Sequence, residues 1–384
     1  MSLESYLDSK PLYYSEIDYE RFPQAYESIK SHLPKPKIVH LIGTNAKGST
    51  GRFLANALFL SGKKTGHYTS PHILKFNERI WIDGSDISDE ALEAAHAKLE
   101  QILDRDISRG LSYFEYTTLI AMIAFSDCEY VVLEAGLGGE YDATAVFDKV
   151  LSIFTPIDFD HSAFLGDSIK SIATTKLNAM SKNALVGFQS HSEVVDIAKE
   201  IALSKGADVA FLDNGVSEDI SILAHKIATK NSLPHYMRDN LTLAMSAFAM
   251  LNLEIDESYF STTPIFGRLS KIADNITLDV GHNAQAARAI AKAFDGKKVV
   301  LIYNSYSDKD YKEILKTLSN IIKRVEIISV EDERITPRDE MVDAIVSLGL
   351  EYRDFSTIGD DEYLVFGSFS VAESFLKRYY DKLV

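Results

Sequence analysis

Cysteine is almost absent from this chain. A single residue, Cys128, in 384 can form neither an internal disulfide nor a thiolate metal cluster, which fits a reducing cytoplasm. Long apolar runs are missing as well. "TLIAMIAF" is among the longest, well short of the roughly 18 residues that a membrane-spanning helix needs. The opening "MSLESYLDSKPLYY" has no basic segment followed by an apolar one, so no secretory signal is expected. Positive charge is scarce too: 40 Lys and Arg against 56 Asp and Glu give a formal net charge of −16. A surface that acidic repels polyphosphate, which argues against nucleic acid or an anionic membrane as a general partner. Any anionic ligand then needs a local cluster of Lys, Arg or amide donors. No internal repeat or low-complexity segment is present.

What remains is an ordinary globular composition, 46% apolar and 25% charged, long enough for two or three domains. Short β-branched runs alternate with amphipathic stretches, the pattern of helices packed on parallel sheets. Strands are expected at 37–43, 130–136, 150–156 and 184–188, with helices at 48–61, 89–105, 116–126 and 238–251. The segment 258–266, "SYFSTTPIF", carries Thr-Thr-Pro and no helical period, and reads as an inter-domain linker. After it the alternation restarts. Strands are expected at 276–281, 299–304, 325–330 and 363–368, and helices near 284–294, 309–322, 338–348 and 370–382. The expected fold is α/β: a domain over 1–262 with a parallel-rich central sheet, then a smaller doubly wound domain over 263–384. A cleft between two such domains is a common place for a ligand.

The stretch "HLIGTNAKGSTGRFLAN" (40–56) has a strand, a small polar turn and a helix opening. It fails the usual G-x-x-x-x-G-K-[ST] phosphate loop twice, at Leu41 and at Ala46. The mechanism matters more than the pattern. A phosphate cradle needs a strand end, small residues exposing backbone N–H groups, a lysine and a helix N-terminus. Gly43, Lys47, Gly48, Ser49 and Thr50 supply these; a plain turn capped by Ser49, with Lys47 in solvent, is the alternative. "YTSPHILKFNERI" (68–80) carries His72, Lys75 and Arg79 among apolar residues, and alone reads as a surface loop. In "LEAGLGGEYDAT" (133–144), Glu134 closes an apolar strand before three glycines in six residues. A carboxylate there is well placed to hold Mg²⁺ near a phosphate. "PIDFDHSAFLGDSIKSIATTK" (156–176) ends another strand on Asp158, Asp160 and His161. Three polar features at consecutive strand ends outweigh the plain reading of each.

In this order, "GTNAKGST", "TSPHILKFNERI", "YFEYTT", "LEAGLGGEYDAT", "DFDHSAFLGDSIKSIATTK", "FGRL", "DVGHNAQA", "DKD" and "FGSF" resemble the folylpolyglutamate synthase/dihydrofolate synthase family of Mur-ligase-like, ATP-dependent amide ligases. The resemblance runs nearly end to end. It implies a P-loop-type ATP-binding domain followed by a Rossmann-like C-terminal α/β domain. The family's loop reads G-T-N-G-K-G-S/T, so Leu41 is no departure but Ala46 is. By resemblance, Gly43, Thr44, Asn45, Lys47, Gly48, Ser49 and Thr50 hold the ATP phosphates. Asn240, Arg268, Asp279 and His282 match nucleotide-binding positions. Ser70, Glu134 and His161 match the positions that hold two Mg²⁺ ions. Lys176 matches a lysine that the family carries as a carbamate, although "KLNAM" here departs from the usual Ala-Gly-Ile continuation. Phe114, Asp142 and Ala143 fall where the pterin-bearing substrate binds, and Lys47, His161 and Lys176 form the catalytic set.

The implied reaction suits these residue types. A carboxylate attacks the γ-phosphorus of ATP to give an acyl phosphate, which the amine of L-glutamate then opens. An anion must approach a polyanion, so Mg²⁺ and lysine neutralise charge and hold the attack in line. The expected protein is a cytoplasmic, monomeric ligase with ATP and Mg²⁺ as cofactors and dihydropteroate or folate and L-glutamate as substrates. A Mur-type ligase on another carboxylate and a non-catalytic ATP-binding regulator are the alternatives. Mur-type enzymes usually carry a further N-terminal substrate domain, for which about 40 residues before the loop leave no room. Two further expectations follow: Ala46 has negative φ, and the two glutamate additions share one site.

Overall fold

The computed structural model of the chain describes residues 2–11, 18–160, 162–260 and 266–381. It divides into two compact units, Met1–Leu233 with Met237–Thr263, and Pro234–Tyr236 with Pro264–Val384. In the first unit the strands are β1 (Lys37–Ile42), β2 (Thr65–Tyr68), β3 (Ile80–Ile82), β4 (Ser85–Asp86), β5 (Tyr130–Glu134), β6 (Lys149–Phe154), β7 (Asn183–Val186) and β8 (Asp208–Phe211). They form one sheet in the order β4-β3-β2-β5-β1-β6-β7-β8. Six of them are parallel, and β3 and β4 turn back as an antiparallel edge. β1 and β5 are covered on both faces, which is why "IVHLI" and "YVVLE" read as continuous apolar runs.

Two cores sandwich this sheet. Ile38, Tyr68, Val131 and Leu133 pack with Leu119, Ile120 and Ile123 of the helix Tyr113–Ala124. Ile42, Phe154, Ala184 and Val186 pack with Ile172, Ala173, Leu177 and Ile197. The register pairs Leu41 with Glu134 and Ile42 with Phe154. The carboxyl ends of β5, β1 and β6 therefore lie side by side at the same edge of the sheet.

The second unit holds β9 (Ser270–Ala273), β10 (Ile276–Leu278), β11 (Val299–Tyr303), β12 (Ile322–Ile327), β13 (Tyr352–Asp354) and β14 (Tyr363–Phe366). Their order is β13-β12-β11-β14-β10-β9, parallel except for β9. Helices Ala284–Ala293, Tyr311–Leu318 and Arg338–Ser347 pack on it through Ile290, Leu315 and Ile345. This is the α/β class expected, with a parallel-rich sheet in each unit.

Several boundaries differ. The helix expected over 89–105 stops at Ile102, because the Asp104 carboxylate accepts the N–H groups of Asp106 and Ile107 and opens a new helix, Arg105–Gly110. The expected linker 258–266 is partly structured: Glu257–Phe260 forms a 3₁₀ turn whose buried Phe260 packs on Phe248 at 5.5 Å between ring centroids. Residues 261–265 lie outside the described residues.

One clamp ties the N-terminal arm to the helix Tyr113–Ala124. Arg21 opens the helix Arg21–Ile29 and donates to both oxygens of Glu115, each at 3.0 Å. Glu115 also accepts the Ser112 N–H at 2.7 Å while the Ser112 hydroxyl accepts the Glu115 N–H, a reciprocal cap on Tyr113–Ala124. Glu115→Ala removes clamp and cap together, and a loss of about 2 kcal/mol is expected from a partly buried, charge-assisted pair. Glu115→Gln keeps an acceptor for Ser112 and should lose less. Chemical denaturation reads both; unchanged midpoints would show the clamp to be idle.

Candidate active site

After β1 the chain makes the turn Gly43–Ala46 and enters the helix Lys47–Leu60. The turn is stitched to the end of β6. Thr44 and Asn45 donate their N–H groups to the Pro156 carbonyl at 3.0 and 3.2 Å, Thr155 Oγ1 donates to Asn45 O at 2.6 Å, and Thr44 Oγ1 donates to Asp158 O at 2.9 Å. Gly43 is forced by this closeness: a Cβ there would stand 2.0 Å from Thr155 Oγ1. The first N–H groups of the helix have no acceptor within it, so its opening at Lys47, Gly48 and Ser49 presents donors at the turn. Ser49 and Thr50 are buried, and the Thr50 hydroxyl has no hydrogen-bond partner.

Ala46 overturns one expectation. It has φ 70° and ψ −6°, in the left-handed region rather than at negative φ. The turn must reverse direction there to aim the helix along the strand end, and alanine takes the conformation that glycine would hold at less cost.

Lys47 Nζ donates to Gly43 O at 3.1 Å and faces Glu134 Oε1 at 3.8 Å. Glu134 is buried, and its Oε2 accepts the Thr69 hydroxyl. Ser70, next to Thr69, is half-buried at the end of the β2 strand's exit. Lys176, in the last turn of the helix Ile169–Leu177, is also buried and donates to the same Gly43 carbonyl at 3.0 Å. Burial, with the Lys47 charge added, lowers its pKa to about 7 against the opposing pull of Asp160 and Asp142. His161 lies outside the described residues. Among the described residues, no three His, Cys, Asp or Glu side chains gather as a metal centre. Mg²⁺ does not require one, since it is held by one or two carboxylates with water and phosphate oxygens. The buried Glu134 carboxylate beside Lys47 fits that habit.

The glycine-rich loop after β5 is held from within. Asp142 accepts N–H groups from Leu137 at 2.8 Å and Thr144 at 2.9 Å, and burial raises its pKa. Thr144 Oγ1 also meets His40 Nε2 at 2.7 Å. Burial holds His40 neutral, and its Nδ1 has no partner. Ala143 is buried beside Asp142. Phe114 in the first turn of Tyr113–Ala124 lies against Gly136 so closely that a Cβ would come within 2.5 Å of its ring. Both of Asp142's oxygens thus serve the loop, and Phe114 serves as packing as well as a partly exposed face.

In the second unit, Asp279 follows β10 and is buried. Its Oδ1 accepts Gly281 N at 2.8 Å; its Oδ2 accepts Leu269 N at 3.0 Å and Tyr236 OH at 3.5 Å. Burial raises the Asp279 pKa, with the charge of Arg268 opposing. Arg268 also lies over the Phe369 ring at 5.7 Å, and His282 Nδ1 meets Val280 O at 3.2 Å. Asn240, of the first unit, is buried and donates to Met237 Sδ at 3.8 Å. So the first unit gathers Gly43–Thr50, Glu134 and Lys176, and the second gathers Arg268, Asp279 and His282.

Sequence reasoning did not single out Thr69, Thr155 or His40. Their importance comes from sheet register, which sets hydroxyls and an imidazole against the loops; no spacing along the chain announces it.

The Ala46 backbone gives a test. A left-handed alanine costs about 1 kcal/mol, while glycine frees the unfolded chain by about 0.4–1 kcal/mol, so the two terms nearly cancel. Ala46→Gly should therefore hold or slightly raise the melting temperature, and Ala46→Val, β-branched at positive φ, should lower it. A drop with glycine would contradict the observed geometry.

No family model matches the sequence. The chain is 30% identical to the dihydrofolate synthase/folylpolyglutamate synthase of Escherichia coli strain K12, over 83% of this chain and 79% of that protein. A crystal structure of Helicobacter pylori folylpolyglutamate synthetase is 37% identical, with a TM-score of 0.82 over 99% of this chain and 98% of that one. A bifunctional folylpolyglutamate synthase/dihydrofolate synthase from Yersinia pestis, complexed with AMPPNP and a Mn ion, is 25% identical with a TM-score of 0.82, over 99% of this chain and 98% of that one. With this similarity running from the phosphate loop to the last helix, the chain belongs to the dihydrofolate synthase/folylpolyglutamate synthase family.

Proposed function

We propose that the turn Gly43–Thr50 works as a phosphate cradle through which this chain activates a carboxylate for amide formation. The chain is an ATP-dependent ligase that joins L-glutamate to folate-type acceptors, the activity of its family. The observation that carries the cradle is the convergence of Lys47, Glu134 and a helix N-terminus on one strand end. In this reading Lys47, the amides of Gly43 and Gly48, and the hydroxyls of Ser49 and Thr50 hold the phosphates, while Thr44 and Asn45, whose N–H groups go to Pro156 O, shape the turn around them. By resemblance to the family, Asn240 of the first unit and Arg268, Asp279 and His282 of the second are proposed as nucleotide-binding positions. Glu134, with Ser70 and His161, would hold Mg²⁺, and two ions belong to the proposal. Bound there, Mg²⁺ neutralises phosphate charge as the acyl phosphate forms. A relative carrying AMPPNP and Mn supports a nucleotide with a divalent metal. The lone Cys128 supports a cytoplasmic setting.

Phe114, Asp142 and Ala143 hold the pterin-bearing acceptor in this reading. Asp142 acts through the shape of its loop, since its oxygens accept Leu137 and Thr144 N–H groups. Phe114 offers a flat face, which suits a flat ring. Because dihydropteroate and reduced folates present the same carboxylate chemistry to the same amine, we expect both glutamate additions.

Lys176 is proposed to act as a carbamate. Its buried amine, with the pKa lowered to about 7, is about half neutral at that pH and increasingly neutral above it. A neutral amine adds to CO₂: the Nζ–C bond forms, one proton leaves, and a carboxylate-like anion remains. That supplies an oxygen ligand on a long arm, and one N–H stays available to Gly43 O. Lys176→Ala should be nearly inactive, with partial rescue by acetate. A mass spectrum and ¹³C signal showing an unmodified Lys176 in active enzyme under CO₂ would overturn this.

The deciding assay is glutamate-dependent ATP turnover with dihydropteroate and with tetrahydrofolate. Both acceptors should be used. Lys47→Ala should abolish turnover and weaken ATP binding while leaving the fold intact. Wild-type ATP affinity and rate in that variant would return the loop to a plain turn. Turnover with tetrahydrofolate alone would leave a single-function polyglutamylase, and binding of ATP with no turnover on any acceptor would favour a regulator.

A further inference from the structure

Two side chains at the exit of β7 stand outside everything assigned so far. The Gly187 N–H donates to Phe154 O at 2.8 Å, one residue past the end of β7. Beyond that bond a side chain takes over. Gln189 Oε1 accepts the Ile157 N–H at 2.9 Å, while Nε2 donates to Thr155 O at 3.3 Å and to Gly187 O at 3.1 Å. One carboxamide thus spans Pro156, offering an acceptor and a donor as a backbone residue would. Two residues on, His191 Nε2 meets Asp158 Oδ1 at 3.1 Å, the same oxygen that accepts the Phe159 N–H at 2.8 Å.

Segment 155–158 also carries the turn after β1. The Pro156 carbonyl takes the Thr44 and Asn45 N–H groups. The Thr44 hydroxyl accepts the Asp158 N–H at 3.1 Å and donates to the Asp158 carbonyl at 2.9 Å. Residues 155–158 are therefore the middle of a three-part stitch, bonded both to the exit of β7 and to the turn Gly43–Ala46. The outer part is well anchored. A Cβ at Gly187 would stand 2.8 Å from Leu243 Cδ2. The helix Ser192–Lys205, which opens directly after His191, packs Val194, Ile197 and Ala198 into the core that holds Phe154 and Val186. The strain falls on the inner part. Ala46 keeps φ 70° although alanine disfavours that region, and the stitch is what holds it there.

We propose that Gln189 and His191 are positioning residues for the nucleotide. From the exit of β7 they fix segment 155–158, which holds Ala46 left-handed and aims the opening of the helix Lys47–Leu60 at a phosphate. They act through Pro156 and Asp158, not by touching the nucleotide. This rests on the reading of Gly43–Thr50 as a phosphate cradle.

The experiment titrates AMPPNP with Mg²⁺ and follows amide hydrogen exchange at Thr44 and Asn45 in the free protein. Gln189→Met, similar in length but lacking the carboxamide, and His191→Ala should each raise the AMPPNP Kd and the KM for ATP about threefold to tenfold, the scale of one lost hydrogen bond. Exchange at Thr44 and Asn45 should quicken, and the acceptor KM should stay as in the wild type. His191→Gln, which restores a donor, should recover most of the loss. A double variant gives the sharpest reading. Glycine holds positive φ at less cost, so adding Ala46→Gly should shrink the Kd penalty of Gln189→Met to about twofold. A general loss of stability would show no such rescue. The His191 side chain is 33% exposed, so His191→Ala carries the test where Gln189→Met fails to fold. If Lys47→Ala weakens AMPPNP binding but Gln189→Met and His191→Ala change neither Kd nor exchange, the inference falls and the cradle stands. A Kd penalty that Ala46→Gly leaves untouched also overturns it. Quickened exchange in variants of a chain that binds no AMPPNP supports the brace on the turn and overturns the cradle. No AMPPNP binding with unchanged exchange overturns both.

Discussion

The first unit's site depends on one close approach, that of Gly43 to Thr155 across the ends of β1 and β6. With no room for a side chain at Gly43, the turn drops onto the end of the neighbouring strand. Its carbonyl is thereby left facing the interior of the site. Two lysines, Lys47 and Lys176, then converge on that single oxygen at 3.1 and 3.0 Å. Two ammonium groups at one carbonyl repel each other strongly in a buried setting. The structure resolves this asymmetrically. Lys47 faces the Glu134 carboxylate, and Lys176, shut off from solvent, moves toward the neutral amine. One lysine remains the electrostatic partner of an anion, and the other loses part of its charge to burial.

Each unit also uses a buried aspartate in the same way. Asp142 and Asp279 both lie beyond a strand end in glycine-containing sequence, and both spend their carboxylates on backbone N–H groups. A carboxylate buried without donors would be costly; satisfied by two or three amides it fixes the loop around it. Burial and donors pull the two pKa values in opposite directions, and burial is the larger influence. Surface loops are ordinarily mobile, whereas these two are held in place from beneath.

The α/β class and the gathering of Lys47 and Glu134 at strand ends were legible because each rests on local signals. Apolar runs such as "YVVLE" mark strands buried on both faces, and a lysine or glutamate at the end of such a run has few purely structural uses. Ala46 was not legible. Its left-handed backbone contradicts alanine's own preference, and only the tertiary stitching of Thr44 and Asn45 to Pro156 imposes it. The break at Leu103 was hidden because apolar spacing continues across it, while the Asp104 cap acts on backbone amides. Thr69, Thr155 and His40 act through register between strands distant in sequence.

The acidic balance of the chain and its affinity for a polyphosphate are compatible on local grounds. A charge of −16 spread over the surface is screened within about 8–10 Å at ordinary ionic strength. At the turn after β1, Lys47 stands against Glu134, and Lys176 carries less than a full charge. What is left is the dipole of the helix Lys47–Leu60 and its free N–H groups, a fixed partial positive charge. As the proposed phosphate cradle, this turn would recognise phosphate by geometry more than by net charge, and Glu134 would meet a polyanion's divalent counterion as a partner rather than an obstacle.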